Sequence, residues 1–272
     1  MSFIDPRYLQ TAVEAAHAGA DVLRAWSGRF TVSEKSKANL VTEADRESQK
    51  VIYNIIKSQF PDHGFLGEEE GLDEQAKWSE EAPGARWIVD PLDGTTNYVH
   101  GFPYYAVTIG LEIAGELVVG LVYDLTRDDM YTAVKGQGAR CNERTIRVSN
   151  IRSLDQALVM ASMPPAPTTD DPALTRFLKV FSEAQSVQRT GSAALNLAYV
   201  ACGRADGFWS TSLKPWDMAG GALLVTEAGG IVTDLYNKPF SQHQPTIACS
   251  PTASLHQEML GIISPDAMGD KI

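Results

Sequence analysis

The first clear periodicity along the chain is helical. Between Tyr8 and Ala25 apolar residues fall at Leu9, Val13, Ala16, Ala20 and Leu23, the spacing that keeps one face of a helix dry. A second helix is predicted over Ser48 to Phe60, stopped by Pro61. The pattern then shortens to alternating or continuous apolar runs at Trp87 to Val89, Tyr105 to Ile113, Leu117 to Tyr123 and Met130 to Val134, which predict strands, with Ala114-Gly115-Glu116 as a hairpin turn. Leu158-Val159-Met160 opens a second half. There helices are predicted over Pro172 to Ala184, Ser192 to Cys202 and Met218 to Ala228, and a strand over Gly230 to Thr233. The stretch from Met163 to Pro172 is rich in proline and reads as a stiff connection. No internal repeat stands out, and periodicity by itself gives only mixed α and β.

Several apolar runs end in acids. Trp87-Ile88-Val89 leads into Asp90-Pro91-Leu92-Asp93-Gly94-Thr95-Thr96-Asn97, where Pro91 restricts its own φ and Gly94 permits a conformation closed to other residues, so the strand is expected to end at the acids. Two carboxylates brought together at the end of a buried strand repel each other and lose solvation unless a cation sits between them. Mg2+ suits that need, because it takes oxygen ligands and keeps places for water and phosphate oxygens. Taken alone, the segment also reads as an ordinary Asp-Pro turn with a capping Asp. Elsewhere Gly64-Phe65-Leu66 ends in Gly67-Glu68-Glu69-Glu70, and Asp217 follows Trp216 at the start of an Ala/Gly/Leu-rich helix. Asp45 stands where Leu40-Val41-Thr42-Glu43-Ala44 passes into a helical pattern, a place that equally suits a helix cap. Glu69 and Glu70 read as solvated neighbours, and Lys35 and Lys37 as a solvated loop face. The five histidines show no ligand spacing and read as structural or exposed.

These motifs together resemble the inositol monophosphatase family of metal-dependent, lithium-sensitive phosphatases. The resemblance is carried by Val41-Thr42-Glu43-Ala44-Asp45, Gly67-Glu68-Glu69, Trp87 to Asn97, Gly191-Ser192-Ala193-Ala194, and Trp216-Asp217-Met218-Ala219-Gly220 followed by Glu227-Ala228-Gly229-Gly230. It runs from about Tyr8 to the C-terminus, with the motifs in family order. It implies a layered αβαβα sandwich, an α+β half over 1–150 carrying most metal ligands and an α/β half over 151–272 carrying Asp217 and the alcohol pocket. It also implies two or three Mg2+ ions, held by Glu68, Asp90, the Leu92 carbonyl, Asp93 and Asp217, with Asp90 shared. Thr95, Asp45 and Glu68 are the implied catalytic groups that position and deprotonate water. Asp93, Gly94, Thr95, Gly191, Ser192, Ala193, Ser210 and Asp217 are the implied substrate contacts, with Ser162 nearby, and a homodimer is implied as well.

One position departs from the family pattern. Inositol-preferring members carry Glu seven residues before the metal-binding Asp, where this chain has Ser210. A short neutral side chain forgoes charge-assisted hydrogen bonds to the alcohol, each worth roughly 1.5–3 kcal/mol. The expected reaction is hydrolysis of a polyol or sugar phosphate, inositol 1-phosphate first. Histidinol phosphate, fructose 1,6-bisphosphate, a nucleotide 3′-phosphate, or a non-catalytic sugar-phosphate-binding regulator are the alternatives.

Composition adds exclusions. The 272 residues are 44% hydrophobic, enough for a sizeable core, and a net charge of −11 argues against a nucleic-acid partner, which needs a basic surface. The same charge means that cations must bind before an anionic small-molecule phosphate monoester can approach the acids. No run approaches a membrane span and the N-terminus lacks a signal pattern, so no membrane partner is expected and the expected location is cytoplasmic. Three cysteines without metal-type spacing predict neither a disulfide framework nor a zinc site. A nucleotide-binding transferase is disfavoured. The chain has no Gly-x-x-x-x-Gly-Lys-Ser/Thr loop, and Gly136-Gln137-Gly138 lacks the third glycine of a dinucleotide turn.

Overall fold

Capping chemistry sets where the first helices begin. Helix α1 (Pro6–Trp26) starts from Asp5, whose carboxylate accepts the Arg7 amide at 2.9 Å, with Pro6 in the first helical position. Strands β1 (Val32–Ser36) and β2 (Asn39–Thr42) pair antiparallel and lead directly into α2 (Glu43–Gln59). That helix starts at Glu43 rather than Ser48, because Thr42 and Asp45 form a reciprocal capping box that an apolar count does not register. The computed structural model describes residues 4–36, 39–69 and 84–265. Lys37, Glu70 and the side chain of Lys35 lie outside the described residues.

The chain continues through β3 (Gly64–Gly67), β4 (Ala85–Asp93), α3 (Thr95–His100), β5 (Ala106–Ile113), β6 (Glu116–Asp124), β7 (Asp129–Val134), β8 (Ala139–Cys141) and β9 (Arg144–Thr145). There follow β10 (Leu158–Ser162), α4 (Pro172–Glu183), β11 (Ser186–Gln188), α5 (Ala193–Ala201), β12 (Gly207–Ser210), α6 (Pro215–Glu227), β13 (Ile231–Thr233), β14 (Ile247–Ser250) and α7 (Ala253–Ile263). Strands β3 to β9 form a seven-stranded sheet in sequential order, antiparallel except for the parallel β3–β4 pair. The expected hairpin at Ala114-Gly115 joins β5 to β6, both residues taking positive φ (51° and 81°) as a two-residue turn requires. A second sheet has the order β11-β10-β12-β14-β13.

Side-chain alternation distributes these sheets among three apolar layers. Helices α1 and α2 cover one face of the large sheet, with Ala12, Leu23, Ile52 and Ile56 against Trp87, Val89, Ile109 and Leu121. Helices α5 and α6 fill the space between the sheets, meeting Val122 and Ala133 on one side and Met160, Phe208 and Cys249 on the other. The next residues along those strands, Val159, Trp209 and Ala248, point the opposite way into a layer with Val180 of α4 and Leu255 and Met259 of α7. The result is the expected αβαβα sandwich. Among the described residues no helix is long and apolar enough to cross a membrane.

Helix α6 is apolar on every side, with all residues from Met218 to Val225 buried, as befits the middle layer. It lies unusually close to the large sheet. A Cβ on Gly220 would stand 2.4 Å from the Thr108 hydroxyl and 2.6 Å from the Leu121 carbonyl, and one on Gly120 would stand 2.4 Å from the Gly220 carbonyl. Glycine is needed at both positions for this approach, which sets Asp217 beside the strand that carries Asp90 and Asp93. His256 is buried between Ser250 and Thr233 (2.8 and 2.9 Å), and His63 packs on Phe60 and Trp87. The three cysteines are free, and burial pushes the Cys141 thiol up to about 11, away from reactive thiolate.

Because the atoms facing Gly220 include backbone, Gly220→Ala is expected to lower unfolding free energy by about 1–3 kcal/mol. Urea denaturation checks this, and an unchanged midpoint would show that the helix and sheet can move apart at no cost.

Candidate metal centre and active site

Strand β4 ends at the acids as expected, but at the second of them: it passes Asp90 and Pro91 and stops at Asp93. On a regular strand residues three apart face opposite sides, which would separate Asp90 from Asp93. The register breaks between them. Asp90 pairs with Thr108 and Asp93 with Ala106, so β4 spends three steps where β5 spends two. This irregularity turns both carboxylates to one side and accommodates Pro91, which a regular ladder would not. Asp217, in the first turn of α6, completes the group. One carboxylate oxygen from each of Asp90, Asp93 and Asp217 lies within 4.8 Å of the others.

The electrostatics of this triad are unfavourable by design of position. Asp90 and Asp93 are buried, at 2% and 8% exposure. Burial raises Asp90 well above the usual carboxylate range, and the charges of Glu68, Asp93 and Asp217 raise it further. Burial also pushes Asp93 up to about 6, against hydrogen bonds from the Ser192 hydroxyl (2.6 Å) and the Ala194 amide (2.7 Å) that favour its charged form. Asp217 is half-buried as a residue, yet burial of its carboxyl, and then the charge of Asp93, raises it well above the ordinary value. Its anchor is the Lys214 amide at 2.7 Å. An all-oxygen donor set whose members resist ionising together fits a hard divalent cation.

Neighbouring groups are fixed by separate devices. Asp45, 1% exposed, uses its two oxygens differently. Oδ2 accepts the Thr42 amide and hydroxyl (2.9 and 2.5 Å) in the capping box, while Oδ1 faces the Thr95 hydroxyl at 3.2 Å. Burial raises its pKa, with the Thr42 hydrogen bonds opposing. The Thr95 hydroxyl also lies 3.2 Å from the Leu92 carbonyl, and the Leu92 amide donates to Asp90 Oδ1 at 2.9 Å. Gly94 has φ 99°, and a Cβ there would meet the Tyr104 carbonyl at 3.0 Å, so only glycine makes the step from β4 into α3 without strain. Glu68 is half-buried at the end of β3, its backbone donating to the Val89 carbonyl at 3.1 Å. The next residue, Glu69, is buried rather than solvated. Gln49 of α2 grips its backbone on both sides, accepting from its amide at 2.8 Å and donating to its carbonyl at 2.5 Å. Gln49 was not a sequence candidate, since a lone glutamine on a helix carries no signal until its partner strand is known.

Asp93 and Asp217 open onto a pocket of about 550 Å³. Gly191, Ala193 and Ser162 line it, whereas Ser192 is fully buried behind it and holds Asp93. Ser210 is also fully buried, with the Ser212 amide at 3.4 Å, and is not among the lining residues. The walls include residues that sequence reasoning did not single out, namely Phe102, Arg189, Leu213, and Met163 and Pro165 of the proline-rich connection.

Comparison with known proteins agrees with this architecture. The model of the inositol monophosphatase family matches residues 6–265. A Synechocystis protein named inositol-1-monophosphatase is 40% identical over 93% of this chain and 87% of its own. A Vibrio cholerae protein named Nus factor SuhB is 38% identical over 89% and 91%. The crystal structure of extragenic suppressor protein suhB from Bartonella henselae superposes with a TM-score of 0.86 at 37% identity, covering 94% of this chain and 98% of that one. With its motifs, layered fold and acid triad in agreement with that match, the chain belongs to the inositol monophosphatase family.

Proposed function

We propose that the protein is a Mg2+-dependent phosphomonoesterase that hydrolyses small polyol or sugar phosphates, inositol 1-phosphate among them. The observation that carries this reading is the convergence of Asp90, Asp93 and Asp217 within 4.8 Å at the edge of a substrate-sized pocket. Names of relatives support it, several being inositol-1-monophosphatases. The relatives named Nus factor leave a regulatory role as the second reading. Retention of every carboxylate that the chemistry needs favours catalysis.

Asp90, Asp93 and Asp217 would hold the cation, joined by Glu68 and the Leu92 carbonyl. When bound, Mg2+ supplies the positive charge that draws the phosphate in, acidifies water and stabilises the departing alkoxide. The chain does the rest. Ser192 and the Ala194 amide keep the Asp93 carboxylate turned to the cluster, and the Lys214 amide does the same for Asp217. Thr95, held between Asp45 Oδ1 and the Leu92 carbonyl, orients the attacking water, and Asp45 Oδ1 receives its proton through that hydroxyl. Water adds to phosphorus as the P–O bond to the alcohol breaks; the leaving alkoxide takes a proton from solvent and Asp45 returns one to solvent, giving the free alcohol and inorganic phosphate. No covalent phosphoenzyme is required.

Purified protein should release phosphate from inositol 1-phosphate with Mg2+ and lose that activity in chelator; turnover unaffected by chelator would refute the assignment. Asp93→Asn should cut kcat/KM at least about a hundredfold, the upper end of what outer hydrogen-bond partners of metal ligands cost. The same variant should be no less stable than wild type without metal, because it removes a repelled charge while keeping an acceptor for Ser192. A destabilised variant would mean that Asp93 is structural.

Protonation gives a further test. The Asp93 pKa is raised in the folded state, so its contribution to metal-free stability is present at low pH and lost as pH rises through about 6. Above that value cation binding should compensate. At one fixed concentration, a hundredfold above its dissociation constant at pH 7.5, Mg2+ should raise Tm by about 5–10 °C at pH 7.5 and by clearly less at pH 5.5, where protons compete for the cluster. Equal shifts at both pH values would disconnect the cation from these carboxylates.

A further inference from the structure

Beyond Asp93 and Asp217, the described lining of the pocket beside the acid triad carries one charged side chain, Arg189. Asn97 spends both amide hydrogens inward, on the Tyr104 and Thr190 carbonyls at 2.7 and 2.8 Å, and the Thr190 hydroxyl is committed to Asn196 Oδ1 at 2.6 Å. Asp93 and Asp217 belong to the cation site, and Phe102, Met163, Pro165 and Leu213 offer apolar surface. The groups left for a substrate are the Asn97 Oδ1, an acceptor, and the side chains of Arg189, Ser162 and Thr96, the last three without a hydrogen bond or ion pair to another described residue.

Arg189 dominates this remainder. It carries five N–H donors in a planar fork and accepts nothing. The Asn97 Oδ1 and the Ser162 and Thr96 hydroxyls can accept from a neutral polyol, but none of them answers the charge of Arg189, and beyond the cluster acids the described lining residues include no carboxylate. Ser210 does not supply the lack, being fully buried. Arg189 is solvent-exposed at the cavity wall and has no carboxylate partner among the described residues, so its guanidinium is open to a ligand carboxylate or phosphate, which it binds in bidentate fashion. The reacting phosphate is taken up at the triad, so the anion left for Arg189 is a different one.

We propose that Arg189 recognises a second anionic group on the alcohol portion of the substrate, and that phosphate monoesters bearing such a group are the preferred class. This rests on the phosphatase reading above. Matched pairs test it with Mg2+ present. Glycerate 2-phosphate against glycerol 2-phosphate probes an added carboxylate, and glucose 1,6-bisphosphate against glucose 1-phosphate probes an added phosphate. The wild type should favour the anion-bearing member of at least one pair by tenfold or more in kcat/KM, and the favoured pair identifies the anion. Arg189→Gln should reduce that ratio at least tenfold, and Arg189→Lys should recover part of it. A wild type that turns over both members equally overturns the proposal and leaves the phosphatase reading intact. So does an Arg189→Gln variant that weakens both members equally, since Arg189 would then serve the reacting phosphate or the fold. Failure to hydrolyse any of the four, or inositol 1-phosphate, overturns the phosphatase reading and this inference with it.

Discussion

Everything in the site depends on holding three carboxylates together against their repulsion. Asp90, Asp93 and Asp217 share a space under 5 Å across in which burial and mutual charge oppose ionisation. The packing that enforces this lies behind them, where α6 presses glycine to glycine on β5 and β6. Core burial and the tight helix–sheet contact stabilise an arrangement that the acids would leave if free to do so. Stability is surrendered locally, and the three carboxylates stand converged as a cation would need them.

The same economy runs through the surrounding groups, most of which serve a structural and a chemical end at once. Asp45 closes the capping box of α2 with one oxygen and faces Thr95 with the other. Ser192 caps α5 by accepting the Leu195 amide and also donates to Asp93. Asp217 closes the first turn of α6 onto the Lys214 amide while reaching the cluster. A helix start is well suited to this double use. Its free amides fix a carboxylate and its dipole favours the negative charge, so the side chain is oriented before any ligand arrives.

Much of this architecture was legible beforehand. The periodicities at Tyr8 to Ala25 and Pro172 to Ala184, the hairpin at Ala114-Gly115 and the apolar α6 follow from local physics, and the structure carries elements there. The start of α2 was missed because capping atoms, not apolar residues, set it. The last steps of β4 were missed because Asp-Pro and Gly suggest a turn, while the register of β5 holds the segment in the sheet as an irregular strand. Glu69 reads as solvated from its acidic neighbours and is buried because Gln49, twenty residues earlier, binds its backbone.

By itself the sequence determined mixed α and β, the family pattern and the identity of the acids, since these follow from residue types at short spacing, while the layered class followed only from the family resemblance. It could not determine which of them share a space. Asp90 and Asp93 face one side only through a break in pairing with β5, and Asp217 joins them only through a helix seated against Gly120, far away along the chain. The character of the pocket was likewise settled in three dimensions. Ser210, conspicuous in the sequence, is enclosed by its sheet, while Arg189, Phe102 and Leu213, unremarked in the sequence, line the walls. Local composition dictates elements and chemistry, whereas the company each side chain keeps is decided by long-range register and packing.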